Sequence, residues 1–322
     1  MLLGRLALSG RAIRTYVASR RQSDGPGEPT DYGRMDQRRF RSAAVDVSAT
    51  PRSSQDLPHH SGRLGCCSMN RRNESSLVQR FWDSAAVVFD MDGVITDTAR
   101  SHAETWAEMF NDFLSTRAKA HDEPLRPFTE DDYLQYVDGK PRYDGVRSFL
   151  ESRGIDLLEG KPDDAPEVET VCGLGNRKNL RFLEKLRQGG ADAYGSSVRL
   201  IEELRRRGVP VAVITSSRNS EEVLASAGVS HLFGVKVDGR VSAEIGLEGK
   251  PMPDIFLEAA RRLEVSPQRT AIVEDALSGV EAGRRGGFGL VVGVDRGGHA
   301  EELAANGADI VVSDLGELLV GE

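Results

Sequence analysis

From residue 85 onward the chain alternates between two hydrophobic patterns. Short runs rich in Val and Ile carry apolar residues at successive positions: Ala85 to Phe89, Val209 to Ile214, Thr270 to Val273, Gly289 to Val294 and Asp309 to Val312. Such runs suit strands buried on both faces, as in a parallel sheet covered by helices. Between them, Val198 to Arg207, Glu221 to Ala227 and Ile255 to Leu263 space apolar residues three and four apart with Arg and Glu between. That period predicts amphipathic helices. Gly208, Gly228 and Gly286 follow three helical stretches, where a left-handed terminal residue is expected. The pattern predicts an α/β fold.

The alternation breaks between Thr98 and about Asp192. Glu104 to Leu114, Asp131 to Val137, Tyr143 to Ser152 and Arg177 to Gln188 read as helices, with no strand among them. A helical insertion after the first strand predicts a core domain over 83–98 and 193–322 and a helical cap domain over 99–192. Residues 1–82 are expected to form a disordered leader or targeting segment. The first 22 residues contain five Arg and no acid, and residues 23–73 are rich in Ser, Gly, Pro, Arg and Asp without a sustained period. Upstream sequence preceding a true start at Met69 would have the same composition.

Charge divides the chain at the same place. Residues 1–84 hold 14 Arg and no Lys against 8 acids, so they carry +6 of a total of −8; the remainder carries −14. An acidic body argues against a nucleic-acid partner, because binding a phosphate backbone needs a basic face. No run approaches the roughly 20 apolar residues that cross a bilayer. The three cysteines, Cys66, Cys67 and Cys172, have neither metal-ligand spacing nor an even disulfide framework, which suits a reducing compartment. These features predict a cytoplasmic monomer without a membrane partner, with organelle targeting by residues 1–22 as the alternative.

The first strand runs into Phe89-Asp90-Met91-Asp92-Gly93. Ligands of open α/β sheets bind beyond the carboxyl ends of the strands, so this acidic pair lies where a reaction centre belongs. One carboxylate can attack phosphorus while the other moves a proton at the sugar oxygen. Gly93 permits the tight turn that follows. Its place, fourth from Asp90, excludes a calcium loop, whose glycine is sixth.

Three further stretches converge on this point if the sheet is parallel. Thr215-Ser216-Ser217-Arg218-Asn219 follows the second strand, with hydroxyls and helix-opening amides suited to phosphate oxygens. Lys250 is one of only seven lysines, and nearby prolines fix its backbone, so its ammonium is an oriented point charge. Ile272-Val273-Glu274-Asp275 places two carboxylates at another strand end, where they can hold Mg²⁺ together with Asp90. There is no Gly-x-x-x-x-Gly-Lys-Ser/Thr, and Gly173-Leu174-Gly175 lacks the third glycine of a dinucleotide fingerprint, so neither ATP nor NAD is implied.

Asp-x-Asp-Gly, then Thr, then Lys, then a paired acid resembles the haloacid dehalogenase superfamily over residues 85 to about 315. The resemblance implies a Rossmann-like core with a parallel sheet and an inserted cap. It also implies an aspartyl-phosphate on Asp90, acid/base work by Asp92, and catalytic support from Thr215 and Lys250. Mg²⁺ would be held by Asp90, the backbone carbonyl of Asp92, and Glu274 or Asp275.

Within the superfamily, Asp92 through Ala99 with His102 and Trp106 is similar to the β-phosphoglucomutases. Gly139-Lys140-Pro141-Arg142 looks like their Gly-x-x-Arg specificity loop, and Arg177-Lys178-Asn179 like their Arg-Lys-Asn. By that likeness Arg142 and Lys178 hold the non-transferring phosphate of a small sugar phosphate, and His102 couples cap closure to Asp92. Trp106, Gly139, Ser216, Ser217, Arg218 and Asn219 complete the implied binding set. The implied reaction converts β-D-glucose 1-phosphate to glucose 6-phosphate. A sugar-phosphate or phosphoglycolate-type phosphatase is the alternative, and a catalytically silent module is a third reading. The sequence departs from the mutase pattern at Thr215, Arg218 and the hinge Tyr194-Gly195-Ser196, and its cap is longer.

Overall fold

The computed structural model describes residues 76–122 and 124–319. All five Val- and Ile-rich runs form strands: β1 Ala86–Asp90, β2 Val211–Ile214, β4 Thr270–Glu274, β5 Leu290–Val294 and β6 Ile310–Val312. An unpredicted strand, β3 Val235–Val237, pairs with β2 at the sheet edge. With three residues, Lys236 in the middle and only Val237 buried, it has no hydrophobic run to betray it. The strands are all parallel in the order β3-β2-β1-β4-β5-β6.

Alternate residues of the strands face opposite layers. Val87, Phe89, Val213, Val273 and Val292 pack beneath helix Gly195–Arg206 through Leu200, Ile201 and Leu204. Val88, Ala212, Ile214, Ile272 and Val291 pack beneath helices Asp254–Arg262 and Leu277–Arg285. Strand order reverses direction between β1 and β4, and the register sets Phe89 beside Val273. The acids that end these strands, Asp90 and Glu274, therefore flank the crevice where such sheets bind ligands.

Helices Ala99–His121, Arg142–Ser152 and Val171–Gly189 leave the sheet after β1 and bury a separate apolar cluster around Phe110, Phe128 and Phe149. The chain leaves and returns side by side: Asp97 N–H donates to Asp192 O at 2.9 Å and Tyr194 N–H to Ile95 O at 2.9 Å. Two short adjacent crossings are the geometry of a hinge. Among the described residues no helix is long and apolar enough to cross a membrane.

Two expectations need correction. Gly286 ends its helix at φ −73°, and the following Gly287, at φ +67°, takes the left-handed position. The second correction concerns residues 76–82, assigned above to a leader outside the fold. They are helical, Leu77 and Phe81 sit one turn apart in the sheet's apolar cluster, and Trp82 Nε1 donates to Leu318 O at 2.9 Å. One amphipathic turn is too short to register as a periodic pattern. Residues 1–75, with the targeting segment and Met69, lie outside the described residues. Since Phe81 is fully buried, Phe81→Ala should lower stability by about 3–5 kcal/mol in urea unfolding. A change below about 0.5 kcal/mol, the scale of an exposed position, would return this turn to the leader.

Candidate active site

Asp90 is the last residue of β1. Its Oδ1 accepts a hydrogen bond from Lys250 Nζ at 2.6 Å, and its Oδ2 accepts the Asp92 N–H at 3.1 Å. Lys250 also donates to Glu274, whose Oε2 takes the backbone N–H groups of Asp275 and Ala276, each at 3.0 Å. Glu274 is thus engaged by three donors within its own core. Asp275, half-buried, is surrounded mainly by acids. Burial, then Asp138, Glu274 and Asp90, drive its pKa well above the usual value, and Lys250 alone opposes them. Burial likewise raises Asp90, with Lys250 pulling the other way. Lys250 itself is held protonated: burial disfavours its charge, but Asp90 and Glu274 outweigh it.

Ligand oxygens of Asp90, Glu274 and Asp275 lie within 4.8 Å of one another. Clustered hard oxygen donors, with two carboxyls strained by mutual repulsion, fit a divalent cation of the Mg²⁺ type. Asp92 contributes no carboxylate oxygen to this group; its side chain turns away. Gly93 makes the turn possible twice over. Its φ is +80°, and a Cβ there would lie 1.8 Å from Asp275 Oδ2.

The Asp92 carboxylate instead accepts from Thr98 Oγ1 and, at 2.9 Å, from Thr215 Oγ1. His102 Nε2 stands 3.4 Å from Asp92 Oδ1, too far for a well-formed hydrogen bond. Burial would raise the Asp92 pKa, but His102, Thr98 and Thr215 outweigh it and hold it at about 2. His102 is pulled down by burial and by Lys178, whose Nζ lies 2.6 Å from its Nδ1. With the Lys178 ammonium donating to Nδ1, the proton of neutral His102 is assigned to Nε2, facing Asp92. The imidazole is stacked on Phe182 at 4.0 Å. Lys178 is itself buried, which lowers its pKa well below the usual value, and stands 5.0 Å from the Trp106 ring.

The cap brings a second group of cations over the core. Arg142 Nη2 donates to Asn179 Oδ1 at 2.7 Å, and Asn219 Nδ2 from the core donates to the same oxygen at 2.9 Å. Burial and the neighbouring Arg218 lower Arg142 to about 10. Among the described residues Arg142 donates to the neutral amides of Asn176 and Asn179, and the Arg218 guanidinium lies 5.7 Å from the Tyr143 ring. Asp90, Asp92, His102, Trp106, Gly139, Arg142, Lys178, Thr215 to Asn219, Lys250 and Asp275 all line one cavity of about 270 Å³. Glu274 is fully buried behind it.

Four expected residues are placed less simply. Trp106 packs mainly in the cap core, stacked on Phe110 at 5.3 Å. Ser216 Oγ donates to Gly139 O at 2.7 Å, and Ser217 Oγ accepts the Asn219 N–H at 3.2 Å. Both hydroxyls are therefore engaged within the protein. Lys178 meets His102 before it meets any phosphate position. Sequence reasoning missed Asp138 and Tyr133, although Asp138 adjoins the Gly139 motif, and Asn176, which links Tyr143 OH at 3.0 Å to Pro162 O at 3.1 Å.

The sequence model of haloacid dehalogenase-like hydrolases matches residues 85–287. The chain belongs to that family. A β-phosphoglucomutase of Mycobacterium bovis is 49% identical over 238 residues, covering 73% of this chain and 91% of its own. The crystal structure of a Clostridium difficile β-phosphoglucomutase, 24% identical, shares the fold at a TM-score of 0.57, covering 73% of this chain and 93% of that one. CbbY of Rhodobacter sphaeroides, in complex with xylulose-(1,5)-bisphosphate, is 25% identical with a TM-score of 0.54 and covers 73% and 96%. As a haloacid dehalogenase-like protein with these relatives, the chain is an enzyme of phosphoryl chemistry, a phosphotransferase or a phosphatase.

Two predictions test the acid cluster. Asp90 and Asp275 bind protons more tightly folded than unfolded, so without cation stability should fall as pH rises from about 4, the unfolded carboxyl range, through their raised values. Saturating Mg²⁺ should flatten that slope in thermal melts. A slope unchanged by Mg²⁺ would mean the cation does not bind there. Gly93→Ala should weaken Mg²⁺ binding in calorimetry at least about tenfold, because the new Cβ displaces Asp275 and φ +80° disfavours a side chain.

Proposed function

We propose that the enzyme isomerises a sugar phosphate, β-D-glucose 1-phosphate to glucose 6-phosphate, with phospho-Asp90 as donor and acceptor. The observation that carries this reading is a single cavity with anion-seeking groups at both ends: Lys250 beside Asp90 at one, and Arg142 of the cap with Arg218 of the core at the other. A mutase must bind a bisphosphate in two orientations, so it needs a second anion site opposite its nucleophile. Arginine supplies bidentate contacts there.

In the first half-reaction the 6-hydroxyl oxygen attacks phospho-Asp90 and the Asp90–phosphorus bond breaks. Asp92 takes the hydroxyl proton, leaving a 1,6-bisphosphate. After the sugar turns end for end, Asp90 attacks the C1 phosphate. The C1 oxygen leaves with the proton from Asp92, giving glucose 6-phosphate and phospho-Asp90 again. Thr98 and Thr215 orient Asp92, while Lys178 and His102 set the proton facing it. Lys250 holds Asp90 in line, and Glu274 holds Lys250. Mg²⁺ held by Asp90, Asp275 and the Asp92 carbonyl would neutralise charge on the transferring phosphoryl oxygens. The cap closes over the cavity and excludes water while the bisphosphate turns over.

The 49% identity to a β-phosphoglucomutase supports this reading. A phosphatase uses the same core residues and differs in passing the phosphoryl group to water. Incubation with β-glucose 1-phosphate, Mg²⁺ and a trace of glucose 1,6-bisphosphate separates the two. Glucose 6-phosphate should accumulate in large excess over inorganic phosphate. Phosphate without isomer would replace the mutase by a phosphatase. Asp90→Ala should abolish both products, by more than about a thousandfold; retained turnover would remove Asp90 as the nucleophile.

A further inference from the structure

The Gly173-Leu174-Gly175 stretch is not a dinucleotide fingerprint, and the structure gives it another use. Both glycines open the cap helix Val171–Gly189 to close neighbours. A Cβ on Gly173 would lie 2.2 Å from Val168 O, so the acidic segment 156–170 docks there. A Cβ on Gly175 would meet Tyr143 Cδ1 at 2.8 Å, Tyr143 Cε1 at 2.9 Å and Arg142 Cδ at 3.2 Å. Glycine at 175 thus leaves the groove in which the Tyr143 ring and the Arg142 stem lie against the helix.

The ring is held at its hydroxyl end as well. Tyr143 OH donates to Asn176 Oδ1 at 3.0 Å, and Asn176 Nδ2 donates to Pro162 O at 3.1 Å and to Asp164 O at 2.9 Å. Arg177 Nε fastens the same segment through Pro166 O at 2.7 Å. Two of the segment's acids turn to partners of their own: Asp164 Oδ2 accepts from Thr170 Oγ1 at 2.6 Å, and Glu159 pairs with Arg147 at 2.9 Å.

Tyr143 nevertheless stays half-buried and lines the cavity. Two guanidiniums stand over its ring, Arg142 of the cap with Cζ 6.0 Å from the centroid and Arg218 of the core at 5.7 Å. Both lie within cation–π reach. Like charges gathered on one ring repel, the negative ring face offsets part of that cost, and a dianion met by both forks offsets more. The Arg218 contact also crosses from core to cap.

We propose that Tyr143 is a positioning residue whose ring is the common seat of Arg142 and Arg218, spacing them to receive one phosphate dianion between cap and core. Gly175 sets the ring from the helix side, and Asn176 with Pro162 sets it from the hydroxyl side. A ligand with a phosphate at each end gains from the seat, and a ligand with one phosphate gains little. The inference rests on the reading of Arg142 and Arg218 as the far anion site, and it holds whether the phosphoryl group then passes to sugar or to water.

Calorimetry on the full chain carrying Asp90→Asn, which binds without turnover, with Mg²⁺ and either glucose 1,6-bisphosphate or glucose 6-phosphate, tests it. In this parent the bisphosphate should bind at least about tenfold more tightly than the monophosphate. Adding Tyr143→Leu should weaken the bisphosphate about tenfold, the loss of two cation–π contacts, and the monophosphate less than about threefold, because its phosphate can sit beside Lys250. A cap that had merely lost its packing would weaken both ligands alike. Tyr143→Phe keeps the ring and should keep the bisphosphate within about threefold of the parent. Gly175→Ala keeps the ring and both charges but displaces them, and should cost the bisphosphate at least about threefold; it serves if the leucine variant misfolds. Bisphosphate binding that survives Tyr143→Leu, or Gly175→Ala in its place, overturns the seat alone, as does a loss in Tyr143→Phe as large as in Tyr143→Leu. Equal affinities for the two ligands in the parent overturn the far anion site and the seat with it.

Discussion

The site is organised by one buried cation. Lys250 is almost wholly enclosed and bridges Asp90 on β1 to Glu274 on β4, the two strands between which the sheet reverses its order. Burying either carboxylate alone would cost several kcal/mol, and removing one partner of such a group typically costs about 3–5 kcal/mol because a charge is left uncompensated. The ammonium therefore does structural and electrostatic work together. It lets Asp90 stay close to other acids, and it engages Glu274, which leaves Asp275 the less satisfied carboxylate of the cluster. Arginine would not substitute simply, because its planar fork cannot place one donor between two converging carboxylates as the compact ammonium does.

From that anchor the division of labour between the two aspartates follows. Asp90 looks toward Lys250 and the acid cluster, where desolvation raises its proton affinity. Asp92, with Met91 alone between them, looks toward two hydroxyls and an imidazole and stays ionised to about 2. Opposite shifts in neighbouring carboxyls suit the two groups to different chemical roles. Gly93 makes the separation sterically possible, since the chain must turn within Asp275's reach. The hinge lies directly downstream. Thr98, which donates to Asp92, immediately precedes the first cap helix, so the cap's attachment adjoins that carboxylate directly.

What could be read from the sequence was what has a period or a motif. Five strands declared themselves by unbroken apolar runs, Asp90 and Glu274 by ending strands whose parallel order puts them together, and Lys250 by its rarity in a proline-flanked loop. β3 escaped because a short edge strand needs little burial. The turn at 76–82 escaped because Leu77 and Phe81 form one i, i+4 pair inside an otherwise aperiodic stretch. Asp138 escaped for a different reason. It is brought against Ser278 by a π-turn and a left-handed Gly139, neither of which has a sequence period. The interval from Asp138 to Ser278 is 140 residues along the chain, and only docking of the cap removes it.

Both ends of the cavity then depend on the same docked cap. Arg142 reaches the core through Asn179 and Asn219, and the loop carrying Asp138 and Gly139 reaches it through Ser278 and Ser216. Arg142 with Arg218 gives one end of the cavity an excess of positive charge, and Asp90 with Asp275 gives the other an excess of acid.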